Sequence, residues 1–354
     1  MKKSAVAGGV VVILAAAWLG GTWYTGKRLE AEAPARLEEL NQQLAQSPYG
    51  VKVEQLSFER GFFSTHARYG VIVVGKNHTS EQPLVPAGTL QFDAVAYHGP
   101  LPLQALAHGN VMPQLAWVRS EVVQTDALKD VFEATHGRTP LRGVTAFYFN
   151  GDTQGTSDIA PFDFNLNGHK AAFGGAHSQG SYTRATQGVQ STTQFLPLTL
   201  EGLDMGSGQL SVKYDKQSLS IDPLLWKTDK GEGRMVVTMA GQFPPASPAQ
   251  GDAVKPVIQS LSAKLVLSKP MLNVLSARYL AATQGLSLED AEHAASRQLA
   301  GLSGVGQMLG LVRSEGDNLV SELQYANGKL TLNGRERDVG QMGKIVPGLP
   351  QQDN

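Results

Sequence analysis

The chain has no cysteine, few charges, and no excess of either sign. Without thiols there are no disulfides, thiolate zinc sites, iron–sulfur clusters or cysteine nucleophiles. Charged residues make up 17% of the 354 positions, against roughly 25% in an ordinary soluble domain. With 30 basic and 31 acidic residues, the chain lacks the basic excess that tracks nucleic-acid phosphates, so no nucleic-acid partner is expected. Catalytic signatures are missing too. A Gly-x-Ser-x-Gly elbow fails at Ser178, which follows Ala176, and at Ser303, which precedes Val305. Neither His-x-His nor His-Glu-x-x-His occurs. A stretch from Gly70 to Lys76 has P-loop spacing, but Asn77 stands where a magnesium-binding Ser or Thr belongs, and its β-branched middle favours a strand. Gly21 to Arg28 has the same spacing inside an apolar run. Glu289 and Asp290 share one helical face with His293, yet acids in a first helical turn follow from the helix dipole alone. No catalytic, cofactor-binding or metal-binding residue is assigned, and the chain is expected not to be an enzyme.

Residues 4–26 are uncharged, with Lys2 and Lys3 before them and Lys27 and Arg28 after. A helix of that length reaches roughly 34 Å at about 1.5 Å per residue, enough to cross a bilayer core. Trp18, Trp23 and Tyr24 cluster at its far end, where amphipathic rings favour the headgroup level. Lys2 and Lys3 favour a cytoplasmic N-terminus; Lys27 and Arg28 weaken that orientation signal. The competing reading is a signal peptide with Val6 to Leu14 as its apolar region, cut after Ala15-Ala16-Ala17. Because the apolar run continues past that cut, residues 1–26 are expected to be a retained anchor. Residues 27–48 then read as an amphipathic stalk helix. Its stripe of Ala33, Leu37, Leu40 and Leu44 docks on the chain's own domain or joins two copies through Leu37, Leu40 and Leu44.

From residue 49 the apolar period becomes two. Strands are predicted around Val51 and Val53, from Arg68 to Val74 and from Leu90 to Tyr97, and a short helix from Thr125 to Thr135. Residues 141–150 are apolar on both faces, which predicts a strand covered on both sides. Asn165 to Thr193 is rich in Gly, Ser, Thr and Gln, so its strands are expected to be short or mobile. A hairpin is predicted from Leu210-Val212-Tyr214 to Leu219-Ile221. Residues 244–256, with Pro244, Pro245 and Pro248, read as a linker or long loop dividing a β-rich region (49–243) from an α+β region (257–354). Two helices follow, from Pro270 to Thr283 and from Leu288 to Leu311, the second opened by a Ser287 cap. The glycines at 301, 304, 306 and 310 are expected to mark close helix packing. Asn327-Gly328 is the dipeptide of a type I′ turn, pairing Tyr325 with Leu330, Leu323 with Leu332 and Ala326 with Lys329. His98 precedes Gly99-Pro100 and is expected to hydrogen-bond backbone at an irregular connection. A short helix is expected to close the chain.

Four separated stretches carry a resemblance: Trp23 to Lys27 after the apolar run, Glu59-Arg60-Gly61-Phe62-Phe63-Ser64, His98-Gly99-Pro100-Leu101-Pro102-Leu103, and Leu323 to Gly334. In this order they resemble the YdgA-like envelope proteins of Gram-negative bacteria, and more distantly the chain is similar to AsmA-like proteins. The resemblance implies a single-pass inner-membrane protein with its bulk in the periplasm, of no established activity, whose middle is shortened here. The fold expected is α+β: an N-terminal transmembrane helix, then a mostly antiparallel, curved β-sheet domain with a few packed helices. The expected role is a non-enzymatic binding or envelope-maintenance module, its partners the membrane and a lipid in an apolar β groove or an envelope protein. A carboxylate-dependent periplasmic hydrolase and a self-associating scaffold are the alternatives.

Overall fold

The computed structural model describes residues 22, 24–35, 37, 38, 41, 42, 44, 50–74, 85–243 and 257–337. Most of the uncharged run therefore lies outside the described residues, as do Leu40, residues 244–256 and the expected C-terminal helix. No helix among the described residues is long and apolar enough to cross a membrane. The protein is α+β with mostly antiparallel strand pairing among the described residues, and it divides into two compact units, 1–159 and 160–354.

In the first unit the described helical residues from 22 to 44 form α1. A meander follows: β1 (Val51–Arg60), β2 (Ser64–Val73), β3 (Val85–His98), β4 (Ala116–Val122), β5 (Leu141–Phe147) and β6 (Thr153–Ile159). The register Ser64↔Tyr97, Tyr97↔Trp117 and Trp117↔Ala146 places three connections, 61–63, 99–115 and 148–152, at one end of the sheet. The connection 99–115 contains the short helix α2 (Leu103–Ala107), and the opposite end carries α3 (Lys129–Ala134) after a 3-10 turn. The P-loop-like Gly70 to Val73 is strand β2, as its β-branched side chains dictate.

Helix α1 lies against β1. Asn41 donates from Nδ2 to the Val53 carbonyl at 2.8 Å and accepts the Val53 N–H on Oδ1 at 2.7 Å. Both Val53 backbone groups point away from β2, so one side chain takes the place of a neighbouring strand there. Ala33, Leu37 and Leu44 are half-buried. The expectation that residues 141–150 are covered on both sides does not hold. Ala146 packs inward with Ala105 and Trp117, whereas Phe147 and Phe149 are exposed, since α2 covers only one face.

The second unit holds β7 (Phe162–Leu166), β8 (His169–Phe173), β9 (Ala176–Thr183), β10 (Gly188–Leu200), β11 (Leu203–Tyr214), β12 (Ser218–Thr228), β13 (Gly231–Gln242) and β14 (Val257–Ser268). Next come α4 (Lys269–Gln284), α5 (Leu288–Met308), β15 (Arg313–Glu315), β16 (Asn318–Ala326), β17 (Lys329–Leu332) and β18 (Arg335–Arg337). Short strands are found at β7 and β8, but β10 spans 13 residues. Hydroxyl pairs between strands, Thr192 with Ser211 and Ser178 with Thr193, supply side-chain bonds that apolar packing does not. Strands β13 and β14, on either side of residues 244–256, pair from Gly233↔Leu267 to Gln242↔Val257. The compact division thus falls at Ile159/Ala160 and not at the proline-rich segment.

The C-terminal hairpin has the expected register, Tyr325↔Leu330 and Leu323↔Leu332. Asn327 and Gly328 sit at φ 54° and 76°, the left-handed pair that a type I′ turn requires. Ser287 Oγ accepts the Asp290 N–H at 3.2 Å and caps α5. Arg278 pins α4, donating to the Asp204 carbonyl at 2.7 Å and to Asp229 at 2.9 Å. The glycine run departs from expectation: a Cβ at Gly301 or Gly304 would meet nothing within 4 Å, so these glycines do not admit a packed helix.

Candidate functional site

Three of the four resemblance-bearing stretches meet at one end of the first unit. Thr22, Thr25 and Gly26 come from α1, Arg60 to Thr65 from the β1–β2 turn, and His98 to Pro102 from the end of β3. His98 is only 2% exposed, and Thr22, Thr25 and Thr65 are equally buried. Its Nε2 lies 3.2 Å from Thr65 Oγ1, and its backbone N–H donates to the Phe63 carbonyl at 3.1 Å.

Two glycines make this closeness sterically feasible. A Cβ on Gly26 would stand 2.6 Å from the imidazole Cε1 of His98. A Cβ on Gly99, whose φ is 126°, would stand 2.6 Å from Thr22 Oγ1. Each glycine removes a side chain where the other segment's residue must enter. Glu30 on α1 accepts from Arg60 at 2.8 Å, tying the helix to the turn one step further along. Asn41 completes the attachment at Val53.

Burial pushes the His98 pKa below its ordinary value of 6.5, while the Thr22 and Ser64 backbones pull upward and the Arg60 charge again lowers it. The ring is therefore held neutral in the fold. Its Nδ1 makes no hydrogen bond of good geometry, and neither do the amide atoms of the fully buried Gln114, whose backbone N–H donates to Pro100 O at 3.1 Å. The imidazole, buried beneath α1, contributes to the chain's own packing. The backbone bonding expected of His98 is met by the Thr22 and Ser64 backbones and by its own N–H to Phe63, and a hydroxyl partner and a helix laid over the ring add to it.

Asp215, Glu322 and Asp290 are engaged elsewhere. Asp215 closes the β11–β12 turn and is held below the usual carboxylate range by the Gln217 N–H and by Ser218. Glu322 is lowered by Lys264 and Arg313. Asp290 bonds its own helix cap through Ser287, and among the described residues no group of three His, Asp or Glu side chains is placed to hold a metal. Sequence reasoning singled out His98, Gly99 and Gly26 but missed Thr22, Thr65 and Gln114. The available signal was that the quoted stretches each contain a glycine next to a residue that a partner segment would have to accommodate.

The fold and this joint define an α+β protein of antiparallel meanders, in which an N-terminal helix is locked to the first meander by a glycine–histidine contact. The chain belongs to the bacterial family of proteins of unknown function, DUF945, whose pattern matches residues 1–214 and 214–339. It is similar to Protein YdgA of Escherichia coli (strain K12), 24% identical over 99% of this chain and 100% of that protein. That alignment runs to 507 positions against 354 residues here, so this chain is shorter by a long segment. The two family-matched stretches meet at Tyr214, where β11 ends and Asp215 turns the chain directly into β12. Similarity extends to the uncharacterized protein YihF of the same strain, 31% identical over 46% of this chain and 34% of that protein. An uncharacterized protein of Haemophilus influenzae is 31% identical over 45% of this chain and 42% of its own length. This chain thus spans well under half of either of these two relatives. No solved structure matches the chain.

Proposed function

We propose that the protein is a non-enzymatic envelope protein, anchored once in the bacterial inner membrane with its bulk in the periplasm, whose second unit takes acyl chains on an apolar sheet face. One observation carries the ligand reading. Ile221, Val237, Ala263 and Leu323 lie in register across β12, β13, β14 and β16, and the next row runs Leu219, Met239, Leu261, Tyr325 and Leu330. Val237, Leu261, Tyr325 and Leu330 are buried, but Leu219, Ile221, Met239 and Leu323 keep part of their surface accessible. Such a row offers methylene-compatible surface without charge. The anchoring reading rests on the uncharged residues 4–26 and the basic pairs around them.

Full-length protein extracted from membranes into mild detergent tests both parts. Native mass spectrometry is expected to show a retained adduct of lipid mass, and a fluorescent fatty acid is expected to bind and be displaced by unlabelled lipid. Loss of every adduct together with no probe binding would end the acyl-chain reading. Recovery of the chain in the soluble fraction of lysed cells would end the anchoring reading.

A further inference from the structure

The end of the first unit where α1 is locked is unlike the other end. The connections 61–63, 99–115 and 148–152, which share that end, carry a single formal charge, Asp152. The connection 123–140 at the opposite end carries Asp126, Lys129, Asp130, Glu133 and Arg138. At the charge-poor end Phe62, Phe63, Leu103, Val111, Met112 and Phe149 are exposed, Leu103 by 62%, Val111 by 71% and Met112 by 58%. Helix α2 shows the bias most directly. Its inner residue Ala105 is fully buried against Trp117, yet three of its four exposed residues, Leu103, Leu106 and Ala107, are apolar as well, with Gln104 the polar one. A soluble surface helix would turn polar residues outward, and apolar patches of this kind mark a contact surface.

The chain itself says what covers this surface. Thr22, Thr25 and Gly26, buried at this same end with Thr22 against Gly99, are the last part of the uncharged run 4–26. Tyr24 is exposed beside the joint, and Lys27 and Arg28 are exposed immediately after it. Aromatic and aliphatic tips, then a tyrosine, then two cations is the order met on passing from the acyl boundary to the phosphate level of a bilayer. We propose that this rim of connections rests in the headgroup–acyl boundary of the membrane that holds the N-terminal run, with the locked α1 fixing the first unit end-on to the bilayer. The inference rests on the anchoring reading above and goes beyond it, since a tether alone requires no contact between the folded unit and lipid.

The absence of cysteine makes the test direct, because a single introduced thiol is unique in the full chain. Leu103→Cys, Met112→Cys and Phe62→Cys, with Val131→Cys at the charged end as reference, are labelled with bimane. Each full-length variant is reconstituted in vesicles of phosphatidylethanolamine and phosphatidylglycerol containing doxyl-labelled phosphatidylcholine. Flotation reads anchoring separately. The expected result is flotation of all four, with quenching at positions 103, 112 and 62 about threefold or more above that at 131, as for side chains at the acyl boundary. Flotation with equal quenching at all four positions overturns the rim while leaving the anchor intact. Failure to float overturns both. Disulfide crosslinking of Met112→Cys chains without lipid quenching assigns the surface to a second copy and also overturns the proposal.

Discussion

A methyl group at Gly26 would stand 2.6 Å from the His98 ring, closer than any relaxed contact, and the ring is hemmed in by Thr65 and the Phe63 backbone. Gly26→Val is therefore expected to cost about 1–3 kcal/mol, the range for overpacking a filled site. The loss would be read from the urea midpoint of the full chain in detergent, with faster amide exchange in α1 showing that the helix has lifted. His98 gives a pH signature at the same place. Its folded pKa lies below the ordinary 6.5, so the unfolded chain takes up the proton first. The stabilisation from keeping the ring neutral is complete above that ordinary value and is lost as pH falls through it toward the lower folded pKa. Stability measured from about pH 7.5 down to pH 5 should fall in the wild-type chain and fall less steeply in His98→Gln. An unchanged slope in the variant would show that other groups govern the acid limb.

Among the elements, β1 illustrates how an exposed sheet edge is managed. One asparagine on α1 takes both outward-facing backbone groups of Val53. Asn41→Ala removes two hydrogen bonds and is expected to cost about 1–2 kcal/mol, with the Val53 amide losing exchange protection while β2 keeps its own. Elements whose determinants are local were legible in advance. The Asn327-Gly328 turn imposes its register because both residues must adopt positive φ, and Ser287 caps α5 because its hydroxyl lies within reach of the third following N–H. Two other readings failed for one shared reason. Residues 141–150 were expected to be covered on both faces, and the glycines at 301, 304, 306 and 310 were expected to mark close helix packing, which Gly301 and Gly304 do not. Apolar or small side chains say that a face can be covered, and only the position of other elements says whether it is.

For the molecule as a whole, stability rests on core packing and strand pairing, with no disulfide to constrain the unfolded chain. Most ion pairs among the described residues are exposed, such as Arg68–Asp93 with both side chains about 40% accessible, while Arg278–Asp229 and Arg60–Glu30 each have a partly buried arginine. Raising sodium chloride from about 0.05 to 1 M is therefore expected to shift the urea midpoint by no more than ~10%, because exposed pairs are screened and weak. A steep salt dependence would mean that charge placement carries much more of the fold than its geometry suggests.

Local chemistry alone determined the antiparallel α+β class, the strand and helix periods, the turn and the cap, and the lack of thiol chemistry, since each depends on residues within a few positions of one another. The family, too, was readable from four short stretches. Tertiary structure decided that three of those stretches form one joint, that the compact division falls at Ile159/Ala160, and that one end of the first unit presents an apolar rim. Thr22, Thr65 and His98 lie tens of residues apart, and no local period relates them. They meet because strand register carries the start of β2 and the end of β3 to the same edge of the sheet, where two glycines leave room for a helix to close over them.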